Sequence, residues 1–362
     1  MKLPNFFLAR VHALWQEKGP LSTALLPLAW ITARVVKARK RRAGQNVPEP
    51  GALPTIVVGN LLVGGTGKTP VVIAVVQHLQ RCGWTPGVIS RGYGANVGAR
   101  PRSGQGLLDP AQFGDEPALI AQVTGVPICV HPKRSQARNA LASDFPAVDV
   151  VVSDDGLQHL ALSRDIEIVV QDGRGVGNGR LLPAGPLREP PEKLAEVDFI
   201  INNTQDALSS EQSACRATGL HTRLPEQIGM GLQATTVENL TTGTRVPWPD
   251  WLGQHAAEPV AAVAAIGQPS RFFSMLSAAG LRLSTTVALP DHHAYAQSPF
   301  ATLTEKLILV TAKDAVKCRR FSDPRVWAIH VEARFSDPLW LDRLSALIAG
   351  VAQEKNPESI KL

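Results

Sequence analysis

The stretch Thr55-Ile-Val-Val-Gly-Asn-Leu-Leu-Val-Gly-Gly-Thr-Gly-Lys-Thr69 constrains this chain most, because an apolar run breaks into glycines and ends in Gly67-Lys68-Thr69. A strand that delivers a glycine-rich loop onto a helix aims backbone N–H groups and the positive helix end at phosphate oxygens. The lysine adds a charge and the threonine a Mg²⁺ ligand. The helix follows at once as Pro70-Val-Val-Ile-Ala-Val-Val-Gln-His-Leu-Gln80. Gly64, Gly65, Thr66, Gly67, Lys68 and Thr69 are therefore the nucleotide-binding candidates. The strict spacing G-x-x-x-x-G-K-[ST] wants a glycine five residues before Gly67, where Leu62 stands; the local shape is instead that of the G-G-x-G-K-T variant. A tight turn also accommodates three glycines, but the strand before, the helix after and Lys-Thr in place favour nucleotide binding.

Strands and helices alternate after this loop. Apolar runs at 55–58, 87–90, 126–130, 148–153, 166–171 and 199–202 read as strands, and 69–81, 115–124 and 133–143 as helices. Near-continuous apolar strands spaced by helices imply a parallel sheet covered on both faces, with ligands outside the carboxyl ends of its strands. A second α/β unit has strands at 260–266, 283–289, 307–311 and 326–331, and helices near 271–279 and 339–351. The expected fold class is α/β: a P-loop NTPase-like parallel sheet core, a second, smaller α/β domain and an N-terminal membrane-associated helical segment. The divisions expected are residues 1–45 for that segment, 46–205 for the P-loop core, 206–258 for a linker with some β structure and 259–362 for the second domain. With 362 residues, 44% hydrophobic and 19% charged, the chain is long enough for two proper cores. Cys82, Cys129, Cys215 and Cys318 are scattered, which suggests neither a disulfide framework nor a zinc site.

At the end of the run Val148-Asp-Val-Val-Val-Ser stand Asp154 and Asp155, a Walker B arrangement that sets carboxylates beside the phosphate loop, where Mg²⁺ needs oxygen ligands. Paired aspartates after a strand also serve as turns or caps, but beside Lys68-Thr69 the metal reading prevails. Alone, Gly114-Asp-Glu-Pro117 reads as a helix cap at Asp115. Ser90-Arg-Gly-Tyr-Gly94 reads as a turn, and Leu181-Leu-Pro-Ala-Gly-Pro-Leu-Arg-Glu189 as a rigid loop presenting Arg188 and Glu189 as a surface ion pair. Asp291-His-His293 follows a strand without a third ligand at zinc spacing, so an Asp-His proton relay is the alternative to a metal site.

The N-terminus is the greasiest end. Phe6, Phe7, Leu8, Val11, Leu14 and Trp15 precede Leu21-Ser-Thr-Ala-Leu-Leu-Pro-Leu-Ala-Trp-Ile-Thr-Ala-Arg-Val-Val36, and the basic block Lys37-Ala-Arg-Lys-Arg-Arg42 follows. A span needs about 20 uninterrupted apolar residues, and Pro27 and Arg34 intervene, so the segment is expected to lie in the membrane rather than cross it. Five basic residues in place of a cleavage site favour cytoplasmic retention. A helix packed on the core fits the same residues. The net charge of +6 gathers near the start without interleaved aromatics, which points to an anionic membrane surface and not to nucleic acid.

Taken together, Gly59-Asn-Leu-Leu-Val-Gly-Gly-Thr-Gly-Lys-Thr-Pro70, Ser90-Arg-Gly-Tyr93, Gly114-Asp-Glu-Pro117, Asp154-Asp-Gly-Leu-Gln-His159, Leu182-Pro-Ala-Gly-Pro-Leu-Arg-Glu189 and Asp291-His292 resemble the ordered motifs of the tetraacyldisaccharide 4′-kinase family. The resemblance covers nearly the whole chain. One departure is Ala312 in Leu309-Val-Thr-Ala-Lys-Asp-Ala-Val-Lys317, where the family pattern has glutamate. The resemblance implies transfer of the ATP γ-phosphate to the 4′-hydroxyl of a lipid-linked, tetraacylated glucosamine disaccharide 1-phosphate in lipid A biosynthesis, at the cytoplasmic face of a bacterial inner membrane, with no obligate protein partner. It further implies Lys68 on the phosphates, Thr69, Asp154, Asp155 and Glu189 around Mg²⁺, Arg188 on the transferring group, Arg91 and Tyr93 toward the lipid substrate, and Asp115 as base with His292 as its partner. Asp115 and His292 would meet only if the two domains close. A P-loop switch ATPase shares the loop, but such ATPases carry a lysine before the paired glycines, where Val63 stands here. A dinucleotide oxidoreductase would need G-x-G-x-x-G spacing.

Overall fold

The apolar runs form strands and the stretches between them form helices in the computed structural model, which describes residues 15–43, 53–95, 97–204 and 224–355. Seven strands come first: β1 Thr55–Gly59, β2 Pro86–Ser90, β3 Arg102–Gly104, β4 Ile128–Val130, β5 Val150–Asp154, β6 Ile166–Asp172 and β7 Phe199–Asn203. Six follow: β8 Glu226–Asn239, β9 Arg245–Pro247, β10 Pro259–Ala264, β11 Arg282–Ala288, β12 Leu307–Thr311 and β13 Val326–Phe335. All belong to one sheet, in the order β11-β10-β12-β13-β8-β7-β6-β1-β5-β2-β4-β3, with β9 on β8. Neighbours run parallel except in the pairs β3/β4, β8/β9 and β8/β13.

β1 lies between β5 and β6, with Val58 in register with Asp154. The phosphate loop thus leaves the middle of its half of the sheet at the carboxyl edge, beside the acidic end of β5, where open parallel sheets bind ligands. Alternation along β1 sends Ile56 and Val58 to one face and Val57 to the other. On the first face they pack against Val71, Val72, Val75, Val76 and Leu79 of the helix Lys68–Arg81, and on the second Val57 meets Leu61, Leu62 and Leu187. Each such side chain, fully buried, contributes about 1.5–3 kcal/mol, so both layers hold the loop's root firmly.

β8 pairs in parallel with β7 through its first five residues and antiparallel with β13 along most of its length. A 14-residue strand therefore runs through the stretch expected as a linker, followed by the helix Trp248–His255. Beyond it β10, β12 and β13 are parallel neighbours with cores of their own around Trp251, Leu276, Leu309 and Ile329 on one face and Tyr295, Phe300 and Val310 on the other.

At the N-terminus, the helices Pro20–Ala24 and Leu26–Ala43 form an arm. Leu28, Trp30, Ile31 and Val35 are exposed on it. No helix among the described residues is long and apolar enough to cross a membrane. Phe6, Phe7, Leu8, Val11, Leu14, the 45–51 linker and Cys215 lie outside the described residues. The arm docks through a buried polar point, where the Ser22 hydroxyl donates to the Ala184 carbonyl and accepts from Asn178 Nδ2 at 3.0 Å and Arg180 Nη1 at 2.8 Å. Trp15 Nε1 donates to the Pro183 carbonyl at 3.1 Å.

Candidate active site

Gly67 caps the helix Lys68–Arg81 with φ of 90°, and a Cβ there would stand 2.2 Å from Asn203 Nδ2. Only glycine is comfortable in that conformation and that space. Leu62, at the place of the missing glycine, is 2% exposed and pairs with Leu187, so the loop's entry is anchored in the core. Lys68 is less solvent-facing than a loop lysine suggests. Its side chain is 11% exposed and its ammonium lies 3.3 Å from Asp155 Oδ1.

Asp154 ends β5 almost wholly buried. Its Oδ2 accepts from Ser90 Oγ at 3.1 Å, while Oδ1 has no hydrogen-bond partner among the described residues. Burial, reinforced by the charge of Glu116 and opposed by Lys68, pushes its carboxyl up to about 7. Asp155, with φ of 51°, turns away and meets Lys68 and Arg188 Nη1, the latter at 3.3 Å. Burial raises its pKa, but the two cations outweigh burial and leave it below the usual range. Arg188 and Glu189, expected as a surface ion pair, are held apart around Gln158. Gln158 Oε1 accepts from Arg188 at 3.3 Å and its Nε2 donates to Glu189 Oε1 at 2.9 Å. Glu189 is buried and its Oε2, like Asp154 Oδ1, has no partner. Two orphaned buried carboxylate oxygens, Asp154 Oδ1 and Glu189 Oε2, suit a hard divalent cation. Among the described residues no three His, Cys, Asp or Glu side chains converge as a metal cage.

Asp115 is 5% exposed at the start of the helix Asp115–Thr124. Its Oδ2 lies 3.1 Å from His292 Nδ1, across 177 residues of sequence. His292 adopts φ of 57° in the loop after β11, and its ring centroid lies 4.7 Å from that of Tyr93. The pair expected to meet on domain closure is thus already in contact. Lys317 is a third member: its ammonium also donates to Asp115 Oδ2, and to the His293 carbonyl at 2.9 Å. Burial raises the Asp115 pKa, but hydrogen bonds from His292 and Lys317, with the charge of Lys317, bring it below the usual carboxylate range. Alongside, Lys313 bridges Glu116 at 3.0 Å and Asp291 at 3.4 Å. Sequence reasoning passed over Lys313 and Lys317. Their spacing of four on the helix Ala312–Cys318, which places both on one face, was the available signal. Ala312, at the glutamate position, opens that helix and lines the cleft.

A cleft of about 1700 Å³ joins these parts. The phosphate loop, Asp154, Asp155 and Arg188 line its floor, Arg91, Tyr93 and His292 one rim, and Ile31, Val35 and Arg39 of the arm another. A glycine-rich loop with Lys-Thr at a helix start, strand-end carboxylates and a histidine held by a buried aspartate, all on one cleft, define a P-loop phosphotransferase. The family model for tetraacyldisaccharide-1-P 4′-kinase matches residues 21–349. The chain belongs to the tetraacyldisaccharide-1-P 4′-kinase family, and is a kinase of lipid A biosynthesis. It is 54% identical over 351 residues to the tetraacyldisaccharide 4′-kinase of Bordetella parapertussis, covering 96% of this chain and 99% of the relative. With the enzyme of that name from Shewanella baltica it shares 41% over 355 residues, covering 96% and 97%. Among solved structures it is similar to LpxK from Aquifex aeolicus, an "apo" form in complex with ATP, with a TM-score of 0.72 at 25% identity over 91% of this chain and 99% of that one.

Proposed function

We propose that this kinase takes ATP on Gly64–Thr69 and phosphorylates the 4′-hydroxyl of a tetraacylated glucosamine disaccharide 1-phosphate held against Arg91 and Tyr93. The hydrogen bond between Asp115 and His292, which itself lines the same cleft as the phosphate loop, carries this reading. The bond from the γ-phosphorus to the bridging oxygen breaks, leaving ADP, while the acceptor oxygen bonds to phosphorus and its proton passes to the Asp115 carboxylate. A carboxylate held ionised is a weak base, yet phosphoryl transfer runs through a loose transition state that asks mainly for positioning and late proton removal. His292 orients Asp115, and Lys317 keeps it charged. Lys68 and Arg188, both borrowed from Asp155 in the resting site, neutralise charge on the transferring oxygens. Thr69, Asp154 and Glu189, with Asp155 beside them, would hold Mg²⁺, whose chemistry is neutralisation of the β- and γ-phosphate oxygens.

The arm's exposed apolar residues beside Lys37, Arg39, Arg41 and Arg42 suit a peripheral or monotopic seat on anionic lipid at the cytoplasmic face of the inner membrane. Its helix opens on the cleft, so a membrane-embedded acceptor would reach the loop without leaving the lipid. Incubation of the purified protein with γ-labelled ATP, Mg²⁺ and the lipid disaccharide tests the reaction. Label on the distal sugar supports it; label released only as inorganic phosphate overturns it.

A further inference from the structure

Four consecutive carbonyls of the phosphate loop each accept a side-chain hydrogen bond. Arg174 Nη1 donates to Val63 O at 3.3 Å and Arg174 Nη2 to Gly65 O at 3.1 Å. Asn60 Nδ2 donates to Gly64 O at 3.0 Å and Asn203 Nδ2 to Thr66 O at 2.9 Å. The three donors stand just past or at the carboxyl ends of β1, β6 and β7, the strands around the loop. Two of them are themselves held. Asp172, buried at the end of β6, grips Arg174 through Nε at 2.9 Å and Nη2 at 2.8 Å, and Asn203 passes its own carbonyl to Arg271 Nη2 at 3.1 Å.

A loop with glycines at 64, 65 and 67 can flip its peptides freely, and a flipped peptide would turn a carbonyl oxygen toward phosphate. Ordering such a loop on binding costs backbone entropy. Carbonyls tied on the outside leave the amides of 64–67 facing the cleft, which is the polarity an anion needs. On the reading that this loop takes ATP phosphates, we propose that Asn60, Arg174 and Asn203 form a side-chain frame that fixes the loop's peptide orientation before nucleotide arrives. They are positioning residues, acting through the backbone. The frame compensates for the absence of a glycine at Leu62, whose side chain anchors only the loop's entry.

Arg174→Ala, Arg174→Lys and Asn203→Ala in the full-length protein test this, through ATP dissociation constants by calorimetry, Michaelis constants for both substrates and thermal unfolding. Arg174→Ala loses two charge-assisted bonds and should weaken ATP binding about tenfold or more. The acceptor Michaelis constant should stay unchanged. Arg174→Lys should recover only part, because one ammonium lacks the fork that reaches two carbonyls. Asn203→Ala should weaken ATP binding severalfold while melting near the parental temperature. Full recovery by lysine would mean that Arg174 acts as a charge on phosphate, and would overturn the frame. So would parental ATP affinity in Arg174→Ala or, should that variant fail to fold, in Asn203→Ala. Failure of the parental protein to bind ATP would instead defeat the nucleotide reading itself.

Discussion

At Lys68 a single ammonium faces two demands in the proposed reaction: it lies against Asp155 in the resting site, and phosphate would need it in the reacting one. Lys68→Ala should lower turnover by roughly a hundredfold or more, the usual loss for one transition-state charge stabiliser. It should also cost some stability, since Asp155 loses one of its two side-chain cation partners and keeps Arg188. Steady-state rates with a parallel thermal melt measure both, and near-normal turnover would remove the lysine from the phosphate site. Asp115 permits a pH prediction. Its folded pKa is lowered, so the stability it contributes is present above the ordinary carboxylate value and is lost as pH falls through the lower folded one. Lys317→Met leaves burial less opposed, raises that pKa and should move the acid limb of the rate profile to higher pH. An acid limb that stays put would deny Lys317 this role. Asp115→Ala and His292→Ala, if they serve one proton transfer, should combine to much less than the product of their separate losses. A fully multiplicative double variant would place His292 in a different task.

Among the elements, the junction at Gly114 governs the helix that carries Asp115. Its φ of 92° lies where side chains are strained, and a Cβ would stand 2.8 Å from the Tyr93 carbonyl. Gly114→Ala should destabilise by about 1–3 kcal/mol, seen in thermal unfolding, and lower turnover because Asp115 is the next residue; an unchanged melt and rate would show that the junction yields freely. The parallel strands were legible because each is buried on both faces and reads as an unbroken apolar run. β8 was not, for its exposure varies along its length as it passes from β7 to β13. The phosphate loop and the acids of β5 were legible because local spacing makes them. Lys317 reaches Asp115 across 202 residues, and no spacing encodes such a meeting. Arg174 was hidden for the same reason: two residues after a strand, it resembles any turn arginine until the loop's carbonyls are seen on it.

On the scale of the whole molecule, the arm and the phosphate loop touch the same segment. Ala184 and Pro183 accept from the arm, while Pro186 accepts from Val63 N and Arg188 N donates to Leu61. Charge and packing at the arm can therefore be separated by mutation. Neutralising Lys37, Arg41 and Arg42, which lie off the cleft, should release much of the protein from anionic vesicles at moderate salt, at roughly 1 kcal/mol per residue, and leave transfer to detergent-dispersed acceptor intact. Lys40, paired with Glu196 at 3.0 Å, should matter less. Flotation with a matched assay on the two acceptor forms reads the result, and unchanged flotation would refute the lipid seat. The continuous sheet has its own consequence for anyone who cuts the chain. A fragment ending near residue 205 keeps the nucleotide loop but loses β8, leaving β7, with Phe199, Ile200 and Ile201, as an uncovered sticky margin. Unpaired apolar strands recruit other chains, so such a piece should clump in solution rather than persist as a miniature enzyme.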